Sequence, residues 1–524
     1  MTERLGRSAG LIGLATLASR VLGLVRDQAQ AYFFGTSMQA DAFVVATRVP
    51  GLLRELFAEG AMSAALVPTL TRTIAKEGKE AGFRLGSQVI NGLLLITGAF
   101  VLIGIVFATP LTTFFASEFA AVPGKLELTI ELTRINMPFL LLIALAAACM
   151  GMLNALRRFF VPAAAPAMFN VVFILATVIL VPILHARGLD TVMALSIGML
   201  GGGLAQLLIQ WPSLAREGYR HRWVLNVRDP ALRQVMILMG PGTLGVAAGQ
   251  INLLVNTWLA TPTEGAASAL RFAFQLMYLP IGIFGVAIAT ASIPTLAKQA
   301  GEGAQGSMIA TVSWAIRLML ALSVPAMVGL IVLAEPIVGL VLERGRFDAD
   351  STLKTAGALA FYAPGVLGYS VVKIVSPTFY ALQDARTPVL ISVFTIGLNL
   401  VLNLWLNSIY GFTGLALGTA IAANVNAGLL LYLLSRRLGG GDFARILVTL
   451  VKVSLASAAM GVAAHYAHGW LLTQFAEPVL WHRFVRVIGA IGVAIAVLTA
   501  TAYVLRIEEL RAALARVFGR RQKP

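Results

Sequence analysis

Fourteen apolar segments, each about long enough to cross a bilayer, recur along this chain and exclude most other kinds of fold. A transmembrane helix needs about 20 consecutive, mostly apolar residues. Only 12% of the 524 residues are charged, whereas soluble domains are about 25% charged. We therefore predict an all-α polytopic membrane protein. The predicted spans are 8–35, 40–73, 85–116, 128–156, 161–184, 190–214, 231–260, 264–298, 306–341, 351–382, 387–407, 411–435, 443–468 and 484–506.

The loops between these segments alternate in positive charge. One set carries basic clusters such as Arg157–Arg158 and Arg436–Arg437, and the opposite loops are poorer in Lys and Arg. Because loops rich in Lys and Arg stay in the cytoplasm, both termini are predicted to be cytoplasmic. The same bias explains the net charge of +16, so we expect no nucleic-acid partner.

Prolines of the first half recur in the second half at a constant distance. The pairs are Pro68 and Pro294, Pro110 and Pro336, Pro138 and Pro364, and Pro162 and Pro388, and each differs by 226 (294 − 68, 336 − 110, 364 − 138, 388 − 162). This offset predicts a duplication of six spans in the same orientation. We expect two six-helix lobes, 1–222 and 223–438, related by an axis along the membrane normal, as in alternating-access transporters. Helices 13 and 14 are then appended in 439–524.

The stretch 20–59 concentrates charge in membrane-like surroundings. Its charged residues are Arg20, Arg26, Asp27, Asp41, Arg48, Arg54, Glu55 and Glu59. An ionisable side chain at the bilayer centre costs roughly 2.5–3.5 kcal/mol on insertion scales, so such groups seldom face lipid. They line a watery cavity, bind a charged substrate, or form internal ion pairs, and the sequence leaves the last alternative open. In the second half, Arg271 and Lys373 are the intramembrane counterparts.

Helical spacing gives these charges a pattern. Arg20 and Asp27 share one face of the first helix, and Asp41 begins a charged stripe on the second. Pro50 is predicted to kink the second helix, because proline lacks an N–H and its ring clashes with the preceding turn. Two charged faces around a kink indicate a polar cavity within the membrane.

Metal and disulfide chemistry have little support in the sequence. Cys149 is the single cysteine and lies in an apolar run, which excludes an intramolecular disulfide. The five His are scattered, without an HExxH motif or a Cys/His cluster, so we expect no metal site.

Several long motifs resemble those of the MurJ/MviN family, the lipid II flippases of the multidrug/oligosaccharidyl-lipid/polysaccharide exporter superfamily. They are SRVLGLVRD (19–27), DAFVVATRVPGLLRELFAEGAMSAALVP (41–68), NALRRFFVPAAAP (154–166), LPIGIFGVAIAT (279–290) and VVKIVSPTFYALQDARTP (371–388). The resemblance covers essentially all fourteen spans. It implies a transporter, not an enzyme, that moves undecaprenyl-diphosphate-linked peptidoglycan precursor from the cytoplasmic to the periplasmic leaflet of the bacterial inner membrane by alternating access.

The resemblance also implies roles for individual residues. By motif position, the substrate-binding residues are Arg20, Arg26, Asp27, Asp41 and Arg54, and Glu59 matches an acid linked to gating. Arg26 and Arg54 are the implied diphosphate ligands, since a guanidinium binds phosphate oxygens bidentately.

One position departs from the family pattern. Gln275 stands where family members commonly carry arginine before the LPxGxxGVA motif. Arg271 lies one turn earlier on the same helix face, so we assign it as a further candidate ligand. The alternative is that two arginines suffice.

The sequence does not decide which driving force the transport uses. We expect no cofactor, and coupling to sodium, to protons or to the membrane potential. Polar residues of spans 7 and 11 are candidates for an ion site, although helix–helix hydrogen bonding explains them at least as well. They are Asn252, Asn256, Thr395, Asn399 and Asn403.

Two other functions remain alternatives. An exporter of O-antigen-type lipid-linked sugars or of drugs would share the fold, although the arginine-rich first lobe favours an anionic substrate. A membrane glycan polymerase would need loop carboxylates, for which Asp348 and Asp350 are the candidates. We expect lipid II and membrane lipids as the partners, and a monomer.

Overall fold

A computed structural model describes residues 2–57, 61–440 and 443–511 of the chain. Within these ranges, the side chains of 2–12, 14, 57, 61, 63–64, 240–249, 251 and 443 are not described. Glu59 and the basic tail from 512 onwards lie outside the described residues. The described part is almost wholly helical and contains no strand.

Ten helices in the described ranges are long and apolar enough to cross a membrane, or eleven if one bent pair is counted as a single span. The pair is Ala349–Tyr362 and Gly365–Ala381, which meet at 47°. Helices also occupy most of the described residues of the predicted spans 8–35, 40–73 and 231–260. The prediction of an all-α polytopic membrane protein is confirmed, and about fourteen spans agrees with these helices.

The chain forms two compact units, of which unit 1 comprises residues 1–268 with 344–347. Its helices are α1 (Thr2–Phe34), α2 (Met38–Ala46), α3 (Arg48–Phe57), α4 (Ala61–Glu77), α5 (Lys79–Val106), α6 (Ala108–Ala116), α7 (Lys125–Asn136), α8 (Phe139–Ala155), α9 (Phe160–Ala186), α10 (Met193–Leu208), α11 (Trp211–Arg216) and α12 (Pro230–Ala260). Here α9 packs on α1 and α10, and α4 packs on α5, α8 and α12. Their apolar faces form a core that includes Phe43, Leu132 and Cys149.

Unit 2 comprises residues 269–343 and 348–524. Its helices are α13 (Ala266–Pro280), which begins in unit 1, α14 (Val286–Gly301), α15 (Gln305–Val332), α16 (Ala334–Val341), α17 (Ala349–Tyr362), α18 (Gly365–Ala381), α19 (Arg386–Tyr410), α20 (Phe412–Arg437), α21 (Phe443–Gln474) and α22 (Leu480–Val504). A π-helical turn, Ile281–Gly285, follows Pro280 and joins α13 to α14. α21 packs on α15 and α22, and α18 packs on α20.

Helix bounds repeat with the step that the prolines predict. α5 recurs as α15, with both ends displaced by 226 (305 − 79 and 332 − 106), and α8 recurs as α18 in the same way (365 − 139 and 381 − 155). The duplication is therefore visible in where helices begin and end. α12, the first helix after the predicted boundary at 222, nevertheless packs within unit 1 on α3 and α4. The two units are divided by packing, whereas the predicted ranges follow the sequence repeat. The ranges 1–222, 223–438 and 439–524 therefore stay predictions.

The second predicted span is interrupted near Pro50. α2 ends at Ala46 and α3 begins at Arg48. Pro50 has no N–H to donate to the carbonyl four residues earlier, which weakens the helix at that point. The Thr47 hydroxyl donates to the carbonyls of Phe43 and Val44, at 2.9 and 3.0 Å, and so closes the end of α2. The predicted stripe from Asp41 to Glu55 is thus divided between two helices.

Candidate functional site

Arg26 lies at the centre of a polar group on α1 and α9. Its guanidinium donates to the Asp27 carboxylate, with Nη2 3.0 Å from Oδ1, and to the Asn170 side-chain oxygen at 3.2 Å. The guanidinium carbon also lies 5.8 Å from the centre of the Phe173 ring. The Arg26 side chain is 22% exposed while that of Asp27 is 5% exposed. The arginine is therefore held from one side and is accessible from the other.

Asn170 fixes the orientation of this group. Its amide nitrogen donates to the backbone carbonyl of Ser19 at 3.0 Å, while its oxygen accepts from Arg26. This assigns the two ends of the amide and ties α9 to α1. Gly23 lies beside this contact, and a Cβ built there would be in ordinary van der Waals contact with the Asn170 nitrogen, at 3.7 Å.

Arg54 is held in a comparable but looser way on α3. Its Nη2 lies 3.5 Å from Oε1 of Glu55, and the two side chains are 31% and 30% exposed. The other oxygen of Glu55 accepts a hydrogen bond from the side-chain amide of Gln250 on α12. Neighbouring residues on a helix do not face each other, so both side chains bend to form this ion pair, and about a third of the Arg54 side chain stays exposed.

Asp41 forms a different kind of site, because it is completely buried. Oδ2 accepts from Lys125 Nζ at 3.2 Å and from the Gly265 N–H at 2.7 Å. Oδ1 accepts from the Ser268 N–H at 3.0 Å and from its hydroxyl at 2.8 Å. Both oxygens therefore have two donors each. In this conformation no face of the carboxylate is open to a substrate.

The cation of this buried pair is enclosed as well. The Lys125 side chain is 1% exposed, and its ammonium lies 4.0 Å from the centre of the Phe119 ring. A buried ion pair needs additional hydrogen bonds to offset desolvation, and Asp41 receives them from Gly265 and Ser268. Gly265 has a φ of +79°, a conformation that glycine adopts without the Cβ clash of other residues. The beginnings of α2, α7 and α13 meet at this carboxylate.

The remaining predicted site residues take no part in the contacts described above. Arg20 is exposed on α1. Arg271 belongs to unit 2, where it is half-buried with its guanidinium carbon 5.9 Å from the Phe272 ring, and Gln275 is exposed one turn further along α13. Their assignments, like the ligand roles of the other predicted residues, stay predictions. Glu59 lies outside the described residues.

Sequence reasoning missed several partners of the predicted residues. They are Lys125, Asn170, Gln250, Gly265 and Ser268. Asn170 had a usable signal, since it is a lone amide in the apolar run FNVVFILATVIL. No signal in the sequence marks Gly265 and Ser268, because the start of α13 meets Asp41 only when the chain folds back to α2.

The polar residues of span 11 hydrogen-bond within unit 2. Asn403 donates to the Asn399 side chain at 2.8 Å, and Asn399 donates to the Thr419 hydroxyl at 3.4 Å. The Thr395 hydroxyl donates to the carbonyl of Ile391 in its own helix. These bonds fit the helix-packing alternative. Among the described side chains, no group of three or more His, Cys, Asp or Glu could hold a metal ion.

The chain is similar to known proteins over most of its length. The family model of lipid II flippase MurJ matches residues 30–484. A probable lipid II flippase MurJ of Vibrio cholerae is 33% identical over 98% of this chain and 99% of its own length. The lipid II flippase MurJ of Burkholderia cenocepacia is 34% identical over 85% and 87%.

Solved structures give the same result. A lipid II flippase MurJ in an inward closed conformation has a TM-score of 0.77 and 26% identity, covering 94% of this chain and 99% of that one. An inward-facing multidrug-resistance MATE transporter, at 15% identity and a TM-score of 0.68, shares the fold alone. The family match spans most of the sequence and the relatives are aligned nearly end to end, so the chain belongs to the MurJ family of lipid II flippases.

Proposed function

We propose that this protein is a flippase that carries lipid II from the cytoplasmic to the periplasmic leaflet of the bacterial inner membrane, without chemical conversion. Membership of the MurJ family supports the substrate class. The observation that carries the proposal is the pair of half-exposed arginines, Arg26 and Arg54, in a polytopic membrane protein. A diphosphate is an anion whose oxygens match the planar donors of guanidinium.

Each arginine already has a carboxylate beside it, and the proposed cycle uses this. In the absence of substrate, Asp27 and Glu55 compensate the charges of Arg26 and Arg54. A diphosphate competes for the same guanidinium donors, and the carboxylates replace it when it leaves. A charge-assisted hydrogen bond contributes about 1.5–3 kcal/mol. Exchange between two anions keeps net binding moderate, which a carrier needs for release.

The Asp41 group supports a closure at one end of the molecule. With the N-terminus in the cytoplasm, as the positive loops predict, Asp41 lies at the periplasmic ends of its helices. Its four hydrogen bonds join the beginnings of α2, α7 and α13. We assign Asp41 to closing this end, and Arg26 with Asp27 and Arg54 to contacting the headgroup.

Arg20, Arg271 and Glu59 complete the proposal. Arg20 is an entry contact for the anionic headgroup, Arg271 supplies part of the role that the family gives to the position of Gln275, and Glu59 acts in gating. Arg271→Ala should then impair growth support, and Gln275→Arg in that background should restore part of it. Equal growth of both variants and the wild type would remove Arg271 from the site.

The deciding experiment measures transport across a defined bilayer. The purified chain is placed in vesicles with fluorescent lipid II in one leaflet, and appearance in the other leaflet is followed with and without a membrane potential or a sodium or proton gradient. Lipid II should move and an O-antigen-type lipid diphosphate should move more slowly. Equal transport of both substrates would support the broader exporter, and transport of neither would overturn the proposal.

The polymerase alternative loses support at Asp348 and Asp350. Asp348 caps α17 by accepting from the Ser351 N–H at 2.9 Å, and this bond lowers the pKa of its carboxyl. Asp350 forms an ion pair with Lys354 at 2.7 Å. A helix cap and an i,i+4 pair account for both acids. Asp348→Asn with Asp350→Asn should therefore leave transport largely unchanged.

A further inference from the structure

A basic cleft in unit 1 has no part in the sites described above. Its volume is about 290 Å³, and it lies between the start of α5 and the segment that follows α11. The lining residues are Lys79, Glu80, Phe83, Arg84, Gly218, Arg220 and Arg222. Four cations and one carboxylate therefore face the same space. The cleft lies at the end of the spans where the loops are rich in Lys and Arg.

Internal ion pairs compensate only part of this charge. Arg222 pairs with Glu80 at 2.8 Å, and Lys79 pairs with Glu217 at 3.2 Å. Arg84 and Arg220 are exposed, and no described acidic side chain lies within ion-pair distance of either. The cleft thus retains two guanidiniums whose donors are available to an anion.

The wall of the cleft is fixed to α5 by hydrogen bonds. The Asn91 side chain donates to the carbonyls of Arg222 and Val224, both at 2.9 Å. The Arg222 N–H donates to the Ser87 hydroxyl at 3.3 Å, and the Gln88 amide donates to Asp229 at 3.1 Å. The segment 219–229 is therefore held along the helix. Its basic residues occupy defined positions.

Exposed apolar residues that are close in sequence to the arginines of the cleft indicate what kind of anion it accepts. Trp223 is 79% exposed and Val227 is 64% exposed, and both belong to the same segment as Arg220 and Arg222. Trp residues and basic residues next to each other are typical of the membrane–water interface. A soluble phosphate would use only the arginines. A lipid uses the arginines for its headgroup and the apolar side chains for its glycerol and upper acyl region.

We propose that this cleft binds the phosphodiester headgroup of an anionic phospholipid from the leaflet that faces the basic loops. Arg84 and Arg220 contact the phosphate, and Trp223 lies beside the lipid backbone. The inference does not depend on lipid II transport, because the cleft is separate from Arg26, Arg54 and Asp41. If the cleft binds no lipid, the proposed transport of lipid II is not contradicted.

The test compares lipid retention by matched variants. The full chain is incorporated into nanodiscs of phosphatidylcholine with phosphatidylglycerol and then extracted, and retained lipids are identified by native mass spectrometry. The test variant is Arg84→Ala/Arg220→Ala, and the control is Arg386→Ala/Arg436→Ala, which removes two exposed arginines of unit 2. A basic residue near an anionic surface contributes roughly fivefold, so the test variant, which loses two, should retain roughly thirtyfold less phosphatidylglycerol. The control should match the wild type.

Two results would overturn the proposal. One is equal loss in the test and control variants, which would mean that net charge and not the cleft attracts the lipid. The other concerns inorganic phosphate, titrated in detergent both into lipid-free protein and into protein that retains phosphatidylglycerol. If phosphate binds the wild type and Trp223→Ala equally, and displaces phosphatidylglycerol from both, the cleft takes soluble anions and the lipid assignment is wrong. A weaker hold on phosphatidylglycerol in Trp223→Ala, with no displacement by phosphate, is the expected outcome.

Discussion

Two ion-pair groups within unit 1 use the same chemistry in opposite ways. Asp41 and Lys125 are each 1% exposed at the side chain, and every oxygen of the carboxylate has two donors. Arg26 and Arg54 are 22% and 31% exposed, and each pairs with the residue next to it in the chain. The buried pair is complete and leaves no position for a ligand. In the other two pairs part of each guanidinium stays exposed, so a ligand can reach Arg26 or Arg54 from that side.

The two kinds of group therefore have different roles: the buried pair stabilises the fold, and the partly exposed arginines can bind a ligand. A buried charge that loses its partner costs several kcal/mol, since no water replaces the lost contact. A half-exposed charge that loses its partner is hydrated at little cost. The variants below test whether stability and transport follow these two categories.

The largest effect is expected for Lys125→Met, which leaves the Asp41 carboxylate buried without its cation. We expect a loss of about 3–5 kcal/mol in unfolding free energy, measured by chemical denaturation in detergent. The matched control is Lys354→Met, because the pair of Lys354 with Asp350 is 30% and 66% exposed and its loss should cost less than about 1 kcal/mol. The double variant Asp41→Asn/Lys125→Met should recover much of the stability. If it is as unstable as Lys125→Met, the charge is not the cause.

Substitutions of the partly exposed arginines should affect binding. Arg54→Ala should leave stability nearly unchanged because Glu55 is 30% exposed, whereas Arg26→Ala also costs some stability because Asp27 is only 5% exposed. Arg26→Ala and Arg54→Ala should each weaken lipid II binding by about 1.5–3 kcal/mol, which is roughly ten- to hundredfold. The Lys variants keep the charge but lose the planar fork, so they should be deficient to a smaller extent. Lipid II binding and complementation of growth are measured at equal expression. Normal function of both well-folded Ala variants would refute the diphosphate assignment, and loss through misfolding alone would support a structural ion pair.

The fold could be predicted from sequence far better than the site. Apolar length and the spacing of the prolines are visible directly in the sequence, and the bounds of α5 and α15 differ by the same step of 226 (305 − 79). The interruption at Pro50 follows from a missing N–H. The partners of Asp41 could not be foreseen, because Lys125 and Ser268 reach it across 84 and 227 residues of chain. Asp41 and Arg26 have similar sequence surroundings, and only packing makes one buried and the other accessible.

A smaller effect is expected at Asn170, which positions Arg26 without contributing charge. Asn170→Ala removes one hydrogen bond to the guanidinium and one to the Ser19 carbonyl. Lipid II binding should fall by about 1 kcal/mol, or roughly fivefold, because Arg26 keeps Asp27 but loses its orientation. Thr177→Val is the control on the same helix, since the Thr177 hydroxyl donates only to the Phe173 carbonyl. An Arg26→Ala/Asn170→Ala variant should be no weaker than Arg26→Ala. An additive loss would show that Asn170 contacts the substrate by itself.

The smallest effect is expected for a surface ion-pair group, in which Glu217 binds Arg158 and Lys79. Glu217 accepts from Arg158 at 2.6 Å and from Lys79 at 3.2 Å, and these hydrogen bonds lower the pKa of its carboxyl. Because the folded pKa lies below the unfolded value of about 4.3, the stabilisation is fully present above that value and is lost as the pH falls through the folded pKa. Both partners are more than half exposed, so Glu217→Gln should cost only about 0.5–1 kcal/mol near pH 7. Thermal unfolding in detergent at pH 7, 5, 4 and 3 tests this, and the difference between Glu217→Gln and the wild type should disappear only in the most acidic samples. A difference that persists unchanged at pH 3 would mean that Glu217 acts by packing and not by charge.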